Sequence, residues 1–413
     1  MLRLRSLFPF LKGAGGVLRR QGWLLENLTF RKALNMGIAG FHYLLKSERM
    51  RAWPVALKVD ISPLCNLRCT CCLHAMPVES SSAELKGQRF DKSQRMTVEQ
   101  FRRIATEVAG KTSAISMYLF GDPLISPDLD EMCSIAWQAG LNTHVGTNFS
   151  FKLSDERIRS IVQSGMTHLT VCVDGLKQED YERTRVGGRI DLVLDNLRRL
   201  MKIRRELGRK YPKVEVQYIK FQHNVHDIEA ARKILTEFGI DQFTDYWGGL
   251  WNYADFSPGH FPSEGPRPNT WRPQCHWPHF MMTINYDGAV IPCCKHRVNL
   301  LYTDSDDKRI VGNVIEKTVW YVWNSAEYRR MRRLVSNPQG VSTESELATT
   351  FCDGCAAITK LHDTRNDFPS DCFKWDDVYE RDARGRVVRK PETEVSALYP
   401  NGEFVSVDAL KVR

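Results

Sequence analysis

The sequence predicts an α/β protein: an open, partial (β/α)6 barrel, preceded by a helical segment and followed by a small, cysteine-rich α+β domain. Three observations carry this expectation. Six strand-like runs alternate with helical stretches between residues 54 and 247, and such alternation implies a parallel sheet covered by helices. About 190 residues and six units fall short of the eight units and roughly 250 residues of a closed barrel. Beyond residue 274 the alternation stops, and cysteines gather at 275, 293/294 and 352/355.

Residues 1–53 read as helical. From Arg31 to Ser47 the apolar residues Leu34, Ile38, Phe41, Leu44 and Leu45 fall on one helix face. The net charge of the 413-residue chain is +9, and residues 1–53 hold ten Lys/Arg against two Glu, a local +8. The rest is close to neutral, which argues against a nucleic-acid partner and confines the basic character to one segment. Two readings stay open: a helix packed across the barrel with a solvated basic face, or peripheral attachment to a membrane. Leu2, Leu4, Leu7, Phe8, Phe10 and Trp23 suit the second.

The barrel segment, 54–247, offers strands at Ala56–Ile61, Ala114–Phe120, Thr143–Thr147, Leu169–Val173, Val214–Tyr218 and Gln242–Trp247. Helices are expected at Thr97–Ala109, Asp128–Ala139, Asp155–Gln163, Asp191–Leu207 and His226–Phe238. Residues 248–274, rich in Gly, Pro, Trp and Asn, read as a linker. A cysteine-rich module follows at 275–372 and a polar tail at 373–413. The tail has hairpin-like turns at Ala383-Arg384-Gly385-Arg386 and Pro400-Asn401-Gly402-Glu403. Twelve cysteines in such clusters suggest metal ligation in a reducing, cytosolic compartment rather than a disulfide framework.

Directly after the first strand comes Asp60-Ile61-Ser62-Pro63-Leu64-Cys65-Asn66-Leu67-Arg68-Cys69-Thr70-Cys71-Cys72, with Cys65, Cys69 and Cys72 spaced Cys-x3-Cys-x2-Cys. Three soft thiolates suit three corners of an iron–sulfur cluster and leave one iron open. Zinc favours paired Cys-x2-Cys or Cys/His sets, which this triplet matches poorly.

On this triplet the chain resembles the radical S-adenosylmethionine (SAM) enzymes, in which SAM chelates the open iron of a four-iron, four-sulfur (4Fe-4S) cluster. Further runs carry the resemblance. Phe120-Gly121-Asp122-Pro123-Leu124 resembles the Gly-Glu-Pro motif that meets the SAM amino group. Thr147-Asn148 resembles a Thr-Asn signature, and Val171-Cys172-Val173-Asp174-Gly175 a Ser-x-Asp-Gly run. Arg185 resembles an arginine that pairs with the SAM carboxylate. The resemblance therefore implies cofactor contacts at Gly121, Asp122, Pro123, Asn148 and Arg185. Strand alternation directs Cys172 and Asp174 into the barrel as candidate catalytic residues.

The run from Cys275-His276-Trp277-Pro278 through Asp287-Gly288, Cys293-Cys294 and Gly312-Asn313-Val314 to Cys352-Asp353-Gly354-Cys355 resembles the SPASM/twitch extension of a subset of that family. It implies an auxiliary 4Fe-4S cluster held by Cys275, Cys293, Cys352 and Cys355, with Cys293 and Cys294 equally placed. A structural zinc site is the alternative. Four ligands close a cluster, so its expected task is electron transfer.

The resemblance implies reductive cleavage of SAM to methionine and a 5′-deoxyadenosyl radical, with hydrogen then abstracted from a substrate C–H bond. Oxidation follows if the auxiliary cluster accepts an electron, and epimerisation if a thiol, here Cys172, returns a hydrogen. The electron donor would be of the flavodoxin or ferredoxin type. The short N-terminal segment favours a small molecule, saccharide or lipid-linked substrate. Rival readings are a peptide maturase, a methyltransferase and a non-catalytic metal-binding scaffold.

Overall fold

A computed structural model describes residues 22–70, 72, 94–221, 223–247, 263–291, 293, 310–342, 352, 358–361, 379–383 and 387–389. After α1 (Phe30–Leu44), strands and helices alternate. They run β1 (Ala56–Val59), α2 (Val98–Val108), β2 (Ala114–Ser116), α3 (Leu129–Gln138), β3 (Asn142–Thr147), α4 (Asp155–Gln163) and β4 (His168–Cys172). Then come α5 (Gln178–Thr184), α6 (Ile190–Glu206), β5 (Lys213–Lys220), α7 (Ile228–Glu237) and β6 (Gln242–Trp247). Strands β1 to β6 pair in sequence order, all parallel. The open six-stranded barrel follows the sequence expectation.

Local chemistry explains the elements. Thr97 and Gln100 form a reciprocal capping box that starts α2, and Phe101, Ile104, Ala105 and Val108 supply its buried stripe. Ser154 caps α4 by accepting from Arg157 N. Along the strands, Leu57, Ile115, Val145, Leu169, Val214 and Val216 are buried beneath the helices. Their neighbours in sequence, such as Lys58, Ser116, His144, Thr170 and Glu215, line the lumen.

The sheet does not end at β1. Next in chain order are β7 (Ser263–Pro266), α8 (Trp277–Phe280), β8 (Met281–Ile284), β9 (Ala289–Ile291) and β10 (Gly312–Asn313). They are followed by α9 (Val319–Trp323), α10 (Ala326–Ser336), β11 (Thr359–Leu361), β12 (Tyr379–Arg381) and β13 (Val387–Arg389). Strand β8 pairs parallel with β1, Ala56 opposite Met281, and β9 and β10 add antiparallel beyond it. The result is one nine-stranded sheet, β10-β9-β8-β1-β2-β3-β4-β5-β6. Gly288 (φ +84°) closes the Asn285–Gly288 turn, where a Cβ would lie 2.3 Å from Ile315 Cγ1. The stretch read as a linker contributes β7, which pairs with β11. Strands β12 and β13 flank the first tail turn; the second lies outside the described residues.

One packing expectation is corrected. Of the expected stripe, Ile38 packs against the core, whereas Leu34, Phe41, Leu44 and Leu45 are exposed. Helix α1 buries Lys32, Asn35 and Ala39 instead. Asn35 exchanges hydrogen bonds with the Trp53 backbone (3.1 and 2.8 Å), and Lys32 Nζ donates to Asn27 O (3.1 Å) and Gly140 O. These polar anchors outweigh the apolar periodicity, because a buried amide or ammonium left without partners is costly.

Candidate metal and cofactor site

The loop after β1 carries the cysteine triplet at the C-terminal end of the barrel strands. Arg68 N and Thr70 N donate to Val186 O and Thr184 O (3.0 Å each), and Cys72 N donates to Cys69 O (2.9 Å). Gly121 lies against this loop. A Cβ there would stand 2.2 Å from Ser62 O and 2.3 Å from Leu64 O, and Asp122 N donates to Leu64 O (2.7 Å). The glycine expected to open the backbone to a ligand therefore also admits the cysteine loop itself.

Asp122, expected to contact the cofactor, has both carboxylate oxygens occupied by protein. They accept from Leu124 N (3.1 Å), Thr147 Oγ1 (3.0 and 2.9 Å) and Asn148 N (2.7 Å). Burial pushes its pKa up to about 6 despite these donors. Its side chain ties the ends of β2 and β3 together, and only backbone atoms of the Gly121–Pro123 turn remain to meet a ligand. Asn148 Nδ2 lies 3.9 Å from Cys65 Sγ and donates to Asn66 Oδ1 (2.9 Å). The next residue, Phe149, takes φ +57° and is held by Asn196, which donates to Phe149 O (3.0 Å) and Phe151 O (2.8 Å). A bulky side chain in that region is strained, so the turn carrying Asn148 is fixed by α6.

Arg185 reaches the triplet from α5: Nη1 lies 3.9 Å from Cys69 Sγ, and Nε donates to Asp174 Oδ2 (2.6 Å). Burial opposes its charge, but Asp174, Cys172 and Cys69 outweigh that and hold the guanidinium well above its usual pKa. Asp174, expected as a catalytic group, has its other oxygen taken by Ile219 N (2.9 Å). It orients Arg185 rather than facing the lumen as a free carboxylate. Cys172 lies on the strand face that alternation assigns to it. It shares the face of Thr170, sits opposite Gln217 in register and contacts Gln217 Oε1 at 3.8 Å. Burial pushes its thiol up to about 11.

Below the triplet the lumen holds a cavity of about 780 Å3. Its wall is polar in ways the motifs did not reveal. His144 Nε2 lies 2.8 Å from Thr170 Oγ1, and burial pushes its imidazole down to about 3, so the ring is neutral. Lys58 Nζ stands over the Tyr118 ring (4.0 Å), and Glu215 accepts from Thr244 (2.5 Å) and Thr170 (3.3 Å). Trp23 packs against His144 with the rings tilted by 38° and their centroids 4.9 Å apart, and closes the floor. Apolar/polar alternation at Val214-Glu215-Val216-Gln217 is the sequence signal that marks Glu215 and Gln217, whereas the all-polar run Asn142-Thr143-His144 carries no such signal for His144.

The donor chemistry fits an iron–sulfur cluster. Two of the three sulfurs face nitrogen donors, Asn148 and Arg185, which suit anionic thiolates. Burial pushes the Cys65 thiol up to about 12, and a bound metal would replace that proton. In the C-terminal module, the buried Tyr328 hydroxyl has no hydrogen-bond partner among the described residues, and Cys293 and Cys352 lie near enough, with Arg332, to influence its ionisation. An orphaned phenol beside two sulfurs fits a cluster whose sulfurs accept its hydrogen. Cys275 precedes α8 near Tyr43; Cys294 and Cys355 lie outside the described residues.

Residues 59–211 match the model of the Radical SAM superfamily, and residues 275–356 that of the SPASM iron–sulfur cluster-binding domain. The tungsten-containing aldehyde ferredoxin oxidoreductase cofactor-modifying protein of Pyrococcus furiosus is 22% identical over 317 residues, covering 68% of this chain and 84% of that protein. The PqqA peptide cyclase of Ruegeria pomeroyi is 22% identical over 187 residues, 45% of each chain, so the match spans less than half of that relative. Among solved structures, Streptococcus suis SuiB bound to S-adenosylmethionine superposes with a TM-score of 0.50 at 15% identity, covering 79% of each chain, a likeness of fold.

Proposed function

Because the chain belongs to the radical SAM superfamily, as an enzyme of its SPASM subgroup, we propose that it abstracts hydrogen from a small, polar substrate in the barrel lumen and epimerises the carbon it attacks. The observation that carries this reading is Cys172: a protonated thiol on the lumen face of β4, beside the Arg185–Cys69 contact.

When bound, the first cluster and SAM supply a radical that takes a hydrogen atom from an unactivated C–H bond. The chain's own residues do the rest. Asn148 and Arg185 brace the cysteine loop, and Asp174 fixes Arg185. Lys58, His144, Glu215 and Gln217 offer donors and acceptors of both signs, with Tyr118 as an aromatic platform, as a hydroxyl-rich substrate such as a saccharide requires. Cys172 then gives its sulfur-bound hydrogen to the opposite face of the substrate carbon. The sulfur-centred radical left on Cys172 regains one electron and one proton, the electron coming from a flavodoxin- or ferredoxin-type donor.

Oxidation is the second reading, favoured by the cysteines of the SPASM module: the substrate would lose a second electron and a proton instead of regaining hydrogen. Turnover in deuterated water separates the two. Epimerisation through Cys172 puts one solvent deuterium on the inverted carbon, because the thiol exchanges with water, and the Cys172→Ala variant still releases 5′-deoxyadenosine without product. A product lacking solvent deuterium, or undiminished epimer formation by Cys172→Ala, would remove the epimerase reading.

A further inference from the structure

Helix α1 meets the protein through Lys32, Asn35 and Ala39, with Met36 and Ile38 packed against the core beside them, and turns Phe30, Leu34, Phe41, Leu44 and Leu45 to water. Phe30 is 82% exposed, Phe41 61%, Leu45 60%, and Leu34 and Leu44 are more than half exposed. The face continues past the helix. Tyr43 hydroxyl donates to Pro273 O (3.0 Å) and Lys46 Nζ to Thr270 O (2.5 Å), which sets the exposed Trp271 at its C-terminal end. A contiguous apolar surface of this kind marks an interaction site.

Charge identifies what it meets. Helix α1 contains no acidic residue; exposed Arg31 stands in its first turn, and exposed Arg49 and Arg51 follow its C-terminal end. Both acids of residues 1–53 are engaged elsewhere. Glu26 pairs with Lys210 and Lys213 at the barrel floor, and Glu48 pairs with Arg333. Residues 1–21 add five Lys/Arg and no acid, interleaved with Leu2, Leu4, Leu7, Phe8 and Phe10. Arg272 lies over the Trp271 ring at 5.7 Å. An acid-free helix with Phe and Leu outward, arginines beside them and a Trp at the rim is built for the boundary between anionic headgroups and acyl chains.

We propose that α1 docks the protein on an anionic membrane surface, with Leu34, Phe41 and Leu45 in the acyl boundary and Arg31, Arg49 and Arg51 among the headgroups. This surface is independent of the reaction in the lumen. The test is co-sedimentation of the full chain with vesicles of phosphatidylcholine and phosphatidylglycerol, and with phosphatidylcholine alone. The wild type should pellet with the mixed vesicles, about tenfold more weakly with the neutral ones. The triple variant Leu34→Ser, Phe41→Ser, Leu45→Ser should lose about a hundredfold while keeping its thermal midpoint, since these side chains leave the core untouched. The Arg31→Glu, Arg49→Glu variant should lose the preference for phosphatidylglycerol. A wild type that stays in the supernatant, or a triple variant that pellets equally well, overturns the proposal. So does a wild-type dimer, by light scattering, that the triple variant splits, which would give the face to a second copy.

Discussion

At the scale of single residues, Gly121 shows how closely the site is fitted. No side chain can occupy the space between its Cα and the backbone of Ser62–Leu64. Gly121→Ala should destabilise the protein by about 2–3 kcal/mol through overpacking and deplete the iron of the first cluster, read by iron analysis; full iron loading would contradict this. The cysteine triplet and the lumen-facing Cys172 were legible in the sequence, because ligand spacing and strand alternation are local properties. The engagements of Asp122 and Asp174 were not. Whether a carboxylate meets a ligand or a backbone N–H depends on which segments fold against it, here the turn carrying Asn148 and the end of β5 carrying Ile219.

At the scale of elements, the barrel helices and strands follow their periodicity and caps, but α1 shows the limit of that signal. Periodicity identifies an apolar face without saying what it faces. The anchor of this segment is Glu26, which binds Lys213, Tyr211 (2.5 Å) and Lys210 (3.2 Å) at the foot of β5. Burial would raise its pKa, yet these partners lower it from 4.5 to about 2. The folded state therefore holds the proton more weakly than the unfolded state. The stabilisation is complete above the unfolded value of 4.5 and is lost as pH falls through about 2. Glu26→Gln should lower stability by about 2 kcal/mol at neutral pH, and the gap to the wild type in urea denaturation should close as pH falls toward 2. A gap independent of pH would show that these ion pairs contribute nothing.

For the whole molecule, the sheet joins the two chemical centres. Because β8 pairs with β1 along its whole length, the C-terminal module extends the barrel that carries the cysteine loop. The sequence could not reveal this. The six barrel strands were visible, but β8 to β10 were not read as strands, and the pairing of β8 with β1 is a long-range event with no local signature. Asp60 marks the junction: its N–H donates to Ile284 O (2.8 Å), five residues before Cys65. The apoprotein should therefore lose barrel and module in a single thermal transition. A chain ended at residue 247 would expose the β1 edge and should aggregate. Two separated transitions in the full chain, or a well-folded truncated barrel, would contradict the shared sheet as a cooperative unit. No helix among the described residues is long and apolar enough to cross a membrane.

The central claim is that Cys65, Cys69 and Cys72 support radical cleavage of SAM above a polar lumen. Its most direct test is release of 5′-deoxyadenosine by anaerobically reconstituted, reduced protein, compared with the Cys65→Ala, Cys69→Ala, Cys72→Ala variant. The account predicts release by the wild type, loss in the variant although the auxiliary cysteines remain, and stimulation by a true substrate. Equal release by both proteins, or none from a wild type whose first cluster is fully loaded and binds SAM with substrate present, would contradict it.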